Sequence, residues 1–463
     1  MVRLYDTMRR SVVPLQTRTP SQVSMYVCGP TVYDLPHLGH ARTALVFDVV
    51  RRYLTWRGYQ VDAIANVTDI EDKIISRAAE EGRTEPEVSS EFTEAYVDQM
   101  SRLDVLPPRA RPHATGYVGQ MIELIGELID AGAAYVVEGK GVYFDVAAAP
   151  GYGRLSGRTL DQLLDDAGAR VDVDPDKRSP LDFVLWKAAK PGEPSWDTPW
   201  GDGRPGWHTE CVAMSLELLG DYFDIHGGGD DLVFPHHENE IAQATATGHI
   251  YANHWLHSGM VNVGGEKMSK SLGNFTTLAD ALEIVDPRAI RLLVLQSHYR
   301  STMEVHEGSL RAAEEALRRL EGFVRRQRKA GVAGGGTETA HSDAAAVARF
   351  REAMDDDFAT PAALDVVFGA VRDGNAALDR GDTAAAASAL AAVVELTSAL
   401  GLDVEPRSAG EGLDADRVEA LVAQRASARQ DRDFARADAI RDELSAMGVA
   451  LEDTPTGTEW WPA

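Results

Sequence analysis

The chain has 463 residues and a formal net charge of −26 at neutral pH, with 44% hydrophobic and 25% charged residues. That is the make-up of an ordinary soluble protein of about three domains, at roughly 150 residues each. The acidic excess argues against indiscriminate nucleic-acid binding, though not against a local basic groove, and no run of about 18 apolar residues is present to span a membrane. Only two cysteines, Cys28 and Cys211, occur. That is too few for a disulfide framework, and no apolar leader stands in MVRLYDTMRR, so a cytoplasmic location is expected.

In chain order, VSMYV (23–27) reads as a buried strand, broken by Gly29 and Pro30. A helix follows, with Pro36 in its first turn and apolar residues at helical spacing (Leu45, Val46, Val49, Val50, Tyr53). A cysteine, a sharp turn and two histidines, His37 and His40, therefore sit where a strand feeds a helix. In parallel α/β sheets that is where anionic ligands bind, although a plain turn with two surface histidines is the bland alternative. VDAIANV and DIEDKIISRAAEEG add a strand and a charged helix, completing a βαβ unit. Tyr117 to Ala131 is an amphipathic helix, followed by a hairpin around Glu138–Gly141. Residues 150–206, rich in Gly, Pro and Asp, look irregular, an insertion between two halves of the sheet. The α/β pattern resumes over 207–263, and 278–330 reads as helical with a basic end. Linkers are expected at 333–343 and 401–412, around an Ala-rich helical bundle at 344–400. The tail reads as two helices and a small hairpin.

Chemistry concentrates in two further places. In GWHTECVAMSLELLGDYFDIHGGGDDLVFPHHENE (206–240), Pro235 is expected to open a helix that puts His236 and Glu240 on one face. With Cys28 and Cys211 they make a credible tetrahedral zinc set, although His237 is an equal contender on geometry and a solvated helix face explains the spacing as well. GGGDD (227–231) could bring backbone at Gly228 and Gly229 close to a nucleotide, with Asp231 accepting from an amine or hydroxyl; a tight surface turn fits equally. GDGRPG matches a dinucleotide fingerprint only literally, because no strand precedes it and Pro205 breaks the helix that must follow. GGEKMSKSLGN (264–274) reads as a mobile cationic loop in which Lys267 and Lys270 could clamp polyphosphate; a solvated basic turn is the commoner meaning.

Together these residues resemble a known family. PHLGH is similar to the HIGH signature of class I aminoacyl-tRNA synthetases, and KMSKS matches their second signature in full. CGPTVYD, NVTDIEDKI, GWHTEC, GGGDDLVFPHHENEIAQ and DDDFATP resemble the cysteinyl-tRNA synthetases, over nearly the whole chain. The resemblance implies a Rossmann-type parallel-sheet catalytic domain with an insertion, then an α-helical bundle and a small α+β anticodon-binding unit. It implies zinc ligation by Cys28, Cys211, His236 and Glu240, which decides for His236 over His237. His37, His40, Lys267 and Lys270 would act on the phosphates of Mg-ATP, with Gly228, Gly229 and Asp231 beside the nucleotide. Gly29, Thr68, Trp207 and Asp231 would line the amino-acid pocket. PHLGH departs from the signature by Leu for Ile, DDDFATP has Ala359 where Asn is common, and WWPA lacks a basic ending.

The implied reaction is in-line attack of the cysteine carboxylate on the α-phosphate of ATP, then transfer to the 3′ end of tRNA(Cys). Such chemistry needs positioning and charge neutralisation more than a nucleophile. Serine is hard to reject by shape, whereas zinc prefers a soft thiolate, so the zinc is expected to serve recognition and no editing domain is expected. Basic tRNA contacts are expected at Arg325 and Arg326 of RLEGFVRRQRK, and at Arg429, Phe434, Asp438 and Asp453 of the tail, with solvated helix faces as the bland reading. The expected division is 1–112 and 206–262 for the two catalytic halves, 113–205 for the insertion and 263–330 for the signature loop and stem-contact helices. A linker at 331–343, a bundle at 344–402 and the anticodon unit at 413–463 complete it. A monomer is expected. The main rivals are the cysteine ligase of mycothiol synthesis, which acts on an amino sugar, and a non-catalytic tRNA-binding paralogue.

Overall fold

Four segments rich in buried apolar residues pair in parallel: Gln22–Val27, Gln60–Ala65, Tyr222–Gly229 and Tyr251–Ser258. The two central strands, Gln22–Val27 and Tyr222–Gly229, are neighbours although nearly half the chain separates them. Each feeds a crossover to the opposite edge, so the connections diverge above their carboxyl ends and leave a crevice there. The computed structural model describes residues 1–168, 176–263, 277–332, 342–405, 415–454 and 457–462.

The first crossover is the helix Leu38–Trp56, which buries Leu45, Val46, Val49, Val50 and Tyr53; the Tyr53 ring meets Phe350 and Phe358 edge-on. It starts one turn later than expected, leaving Pro36 outside. His37 is its N-cap, accepting from Gly39 N at 3.0 Å, while His40 Nδ1 accepts from His37 N at 3.2 Å. Two imidazoles thus satisfy amide donors usually capped by hydroxyl or carboxyl groups.

The stretch 150–206 is more ordered than its composition suggests. It contains the helix Leu160–Gly168 and the strands Phe183–Ala188 and Gly203–Pro205. These strands extend the expected hairpin, Ala134–Val137 and Gly141–Phe144, into a four-stranded antiparallel sheet. Long Gly/Pro loops hide their short periodicity, and the GDGRPG motif is a sheet edge, where a proline costs no ladder bond. Residues 278–330 are likewise not wholly helical. Met303–Val305 pairs in parallel with Val261–Val263 between the helices Pro287–Leu295 and Glu307–Lys329.

The bundle consists of Ala344–Asp355, Thr360–Asp379 and Thr383–Ser398. Val404, in the expected linker, is buried in its core beside Leu402. Helices Ala415–Gln430 and Phe434–Ala446 and the hairpin Val449–Thr454/Gly457–Pro462 share a separate small core around Val418, Ile440 and Leu444. Among the described residues no helix is long and apolar enough to cross a membrane.

Candidate active site

Cys28 follows the last residue of a central strand, and its amide donates to Gly227 O on the neighbouring strand at 2.9 Å. The turn behind it admits only glycine, because a Cβ on Gly29 would lie 1.7 Å from Asn66 O. Cys211 lies on the helix Trp207–Leu219. Phe234 has an extended backbone (φ −140°, ψ 131°) that kinks the turn Val233–His237, and from Pro235 on the chain runs through His236 and His237 into the helix Glu238–Ala246 that carries Glu240. Three remote segments thereby place four ligand-type atoms within 4.8 Å of one another, all on buried residues: Cys28, Cys211, His236 and Glu240. The two Sγ atoms are 3.4 Å apart, Cys28 Sγ is 3.5 Å from Glu240 Oε1, and His236 Nε2 is 3.0 Å from the same oxygen.

This donor set fits zinc. A tetrahedron with ligand distances of about 2.0–2.3 Å has edges of about 3.3–3.8 Å, within a few tenths of an ångström of those seen. Electrostatics agree. Burial, then the Cys211 thiol and the Glu240 carboxylate, push the Cys28 thiol up. Two sulfurs and a carboxylate cannot all be anionic in this space without a cation. Burial also opposes ionisation of Glu240, but His226 and His236, with a hydrogen bond from Tyr251, hold it down at about 2. Glu240 Oε2 accepts from Tyr251 Oη at 2.7 Å and is 2.8 Å from His226 Nε2. His236 Nδ1 is 3.0 Å from His208 Nδ1, and Trp207 stacks on its ring at 4.3 Å. Nothing in the sequence singles out His208, His226 or Tyr251, although His208 stands in GWHTEC and His226 in YFDIHGGG. His237 belongs to a second such set with Cys28, His226 and Glu240. Its Nδ1 lies 2.8 Å from His257 Nε2, which binds it into the strand Tyr251–Ser258.

From this cluster a cleft of about 470 Å³ runs outward, walled by Cys28, Gly29, Trp207, His37, His40 and Asp231 among others. His37 and His40 stack at 3.8 Å. Burial, then the neighbouring His37, lowers His40 to about 3, and His37 is lowered by desolvation against the pull of Asp231. In the open cleft both rings are neutral at pH 7, and each has a nitrogen engaged with backbone. Gly229 lines the cleft with Asp231. Gly228 does not. It is packed under His237, whose Cε1 would meet a Cβ there at 2.8 Å. Ser258, Gly259, Met260 and Val261 form the facing wall. Lys267 and Lys270 lie outside the described residues.

Thr68 is not in the cleft wall either. Its hydroxyl is buried, donating to Glu210 Oε2 at 2.8 Å, and Thr31 of the CGPT turn, paired with it by a β-bridge, faces the cleft instead. Burial, then the adjacent Cys211, pushes the Glu210 carboxyl well up. Of the residues expected at tRNA, Arg326 is engaged with Asn375 at 2.8 Å and Asp379 at 2.5 Å, and Arg325 lies beside it on the same helix. Asp453 is clasped by Arg425 at 2.8 and 3.0 Å and by Arg429 at 2.5 Å. Asp438 lies 3.5 Å from Arg441, and Phe434 is 62% exposed, an unusual place for a phenyl ring.

Three family models match the chain. Residues 14–315 match the tRNA synthetases class I (C) catalytic domain, 349–405 a DALR domain, and 413–460 the cysteinyl-tRNA ligase anticodon binding domain. The chain belongs to the cysteinyl-tRNA synthetase family. It is 50% identical over 466 residues to the cysteine–tRNA ligase of Halorhodospira halophila, covering 99% of both chains. To that of Chromobacterium violaceum it is 49% identical over 474 residues, again covering 99% of each. Solved structures with this fold include the methionyl-tRNA synthetase of Mycobacterium tuberculosis with methionyl-adenylate (TM-score 0.60, 15% identity, 82% and 90% covered). The LeuRS–tRNA–LeuAMS ternary complex of Agrobacterium radiobacter K84 agnB2 is similar too (TM-score 0.61, 11% identity, 84% of each covered). These two likenesses concern the fold alone.

Proposed function

We propose that the chain activates L-cysteine with Mg-ATP and transfers it to the 3′ end of tRNA(Cys). It is a cysteine–tRNA ligase reaction, and the observation that carries it is one cleft with a Cys/Cys/His/Glu cluster at its closed end and the His37–His40 pair along its wall. Cys28, Cys211, His236 and Glu240 would hold zinc, which would supply a soft acceptor for a thiolate and a poor one for a hydroxyl. Trp207 and Gly29 confine the side chain, and the CGPT turn fixes its distance from the histidines. A cysteine whose side chain lies between Trp207 and Gly29 would present its carboxylate toward the α-phosphate of a nucleotide lying along Gly229, Asp231 and Ser258–Val261.

His37 and His40, neutral in the open cleft, donate hydrogen bonds to phosphate and gain positive character as phosphate approaches. Lys267 and Lys270 then close over the β- and γ-phosphates. With reactants aligned, the transfer to phosphorus needs no enzyme nucleophile. The acceptor end of tRNA enters next, while Arg325, Arg429, Phe434 and the Asp453 clasp contact the tRNA body and anticodon. The divisions 1–112 with 206–262, 113–205, 263–330, 344–402 and 413–463 are the working units of this scheme, acting in a cytoplasmic monomer.

Cysteine-dependent ATP–pyrophosphate exchange, followed by charging of tRNA against a glucosaminyl-inositol acceptor, tests the reading. Exchange with cysteine and label on tRNA support it. No exchange, or label on the amino sugar, rejects it.

A further inference from the structure

DDDFATP carries no role in the cleft, yet the last of its three aspartates is unusually placed. Asp357 stands at the corner between the bundle helices Ala344–Asp355 and Thr360–Asp379, with a left-handed backbone (φ 60°). It is buried, and its carboxylate is saturated. Oδ1 accepts from the Tyr5 amide and the Tyr299 hydroxyl, each at 2.7 Å. Oδ2 accepts from Arg300 Nε at 2.8 Å and Nη2 at 2.6 Å. A carboxylate with four donors on rigid groups fixes the segment that carries them.

That segment, 298–301, turns its carbonyls the other way, onto Arg42. Arg42 Nη1 donates to Met260 O at 2.6 Å. Its Nη2 donates to His298 O and Tyr299 O at 3.3 Å each, and to Ser301 O. The guanidinium is 1% exposed, and among the described residues no carboxylate pairs with it. A buried cation held only by carbonyls is a costly way merely to stabilise a fold. Its location supplies a reason. Arg42 follows His40 by two residues on the signature helix, and Met260 belongs to the facing wall of the cleft. The same wall is pressed on the segment at Gly259, where a Cβ would lie 2.5 Å from Ser301 O and 2.7 Å from Arg300 O.

We propose that Asp357 and Arg42 are positioning residues that lock the helical bundle to the nucleotide end of the cleft. Asp357 holds segment 298–301, and that segment, through Arg42 and Met260, sets the spacing between the His37–His40 helix and the Ser258–Val261 wall. The inference rests on reading that end as the ATP site. Its consequence is that a bundle residue absent from the cleft controls cysteine activation, a step that needs no tRNA.

The test is cysteine-dependent pyrophosphate exchange, without tRNA, for Asp357→Asn, Arg42→Lys and the double variant. Asparagine tolerates the left-handed backbone, so Asp357→Asn removes charge without straining the corner. Each single variant is expected to lower kcat/KM for ATP by about 10- to 100-fold, with KM for cysteine unchanged within about twofold and folded protein retained. Because both act through one segment, the double variant is expected to be no more than about twofold worse than the worse single. Unimpaired exchange in Asp357→Asn, multiplicative losses in the double variant, or losses explained wholly by unfolded protein would each overturn the proposal. Failure of the unmodified protein to exchange with cysteine rejects the functional reading instead, so the two failures are separable.

Discussion

At the thiol end of the cleft, Cys28, Cys211, His236 and Glu240 are all buried, and a second layer of His208, His226 and Tyr251 bonds to the ligands. At the phosphate end, His37 is exposed, His40 only half-buried, and both are held by backbone and by each other. In the proposed function the first end is preorganised before substrate arrives, and the second completes itself on a nucleotide. This division suits the two tasks. Selection between a thiol and a hydroxyl tolerates no slack, whereas neutralising a triphosphate benefits from groups that can follow its charge.

The contrast can be broken from either side. The largest effect is expected from Glu240→Gln, which removes the charge that His226, His236 and Tyr251 surround. Metal content should fall, and kcat/KM for cysteine should drop by about a thousandfold, a cost typical of an uncompensated buried site. Pyrophosphate exchange and metal analysis of the purified variant check this. His40→Asn should cost about 100- to 1,000-fold in kcat while leaving KM for cysteine and metal content unchanged, because it touches only the developing phosphate charge. A comparable rise in KM for cysteine would erase the division between the two ends. His226→Gln, one layer behind the ligands, should weaken metal binding by about 10- to 100-fold in competition with a chelator.

The smallest effect concerns pH. Burial lowers His40 and His257 to about 3 in the folded chain, against about 6.5 unfolded. The unfolded chain then binds more protons between these values. The contribution of each is fully present above pH 6.5 and is lost as pH falls toward 3, at about 1.4 kcal/mol per pH unit per histidine. Urea titrations at pH 7, 6 and 5 should show this decline, and saturating nucleotide should flatten the share that belongs to His40. No flattening would mean that His40 does not meet phosphate.

Much of this was legible in the residues. Through their resemblance to the cysteinyl-tRNA synthetases, CGPT, GWHTEC and HHENE point to the four residues that the structure brings together, although spacing alone leaves His236 and His237 equal, and PHLGH points to the stacked histidine pair. What escaped was set by tertiary packing. Thr68 looks like a pocket hydroxyl, but it donates to the buried Glu210 and is drawn away from the cleft. Gly228 looks like a nucleotide contact, but it faces His237. Phe183–Ala188 is a strand only because the hairpin Ala134–Phe144 offers it an edge. Arg42 and Asp357 meet through carbonyls and a turn that no spacing in the sequence announces.

The most direct measurement is cysteine-against-serine selectivity in pyrophosphate exchange, for the zinc-loaded protein and for the same protein freed of metal by a chelator and shown to remain folded. The account predicts strong selectivity with metal and, without it, a preference no larger than about tenfold, the scale that pocket shape alone provides. Undiminished selectivity in the metal-free protein would contradict it.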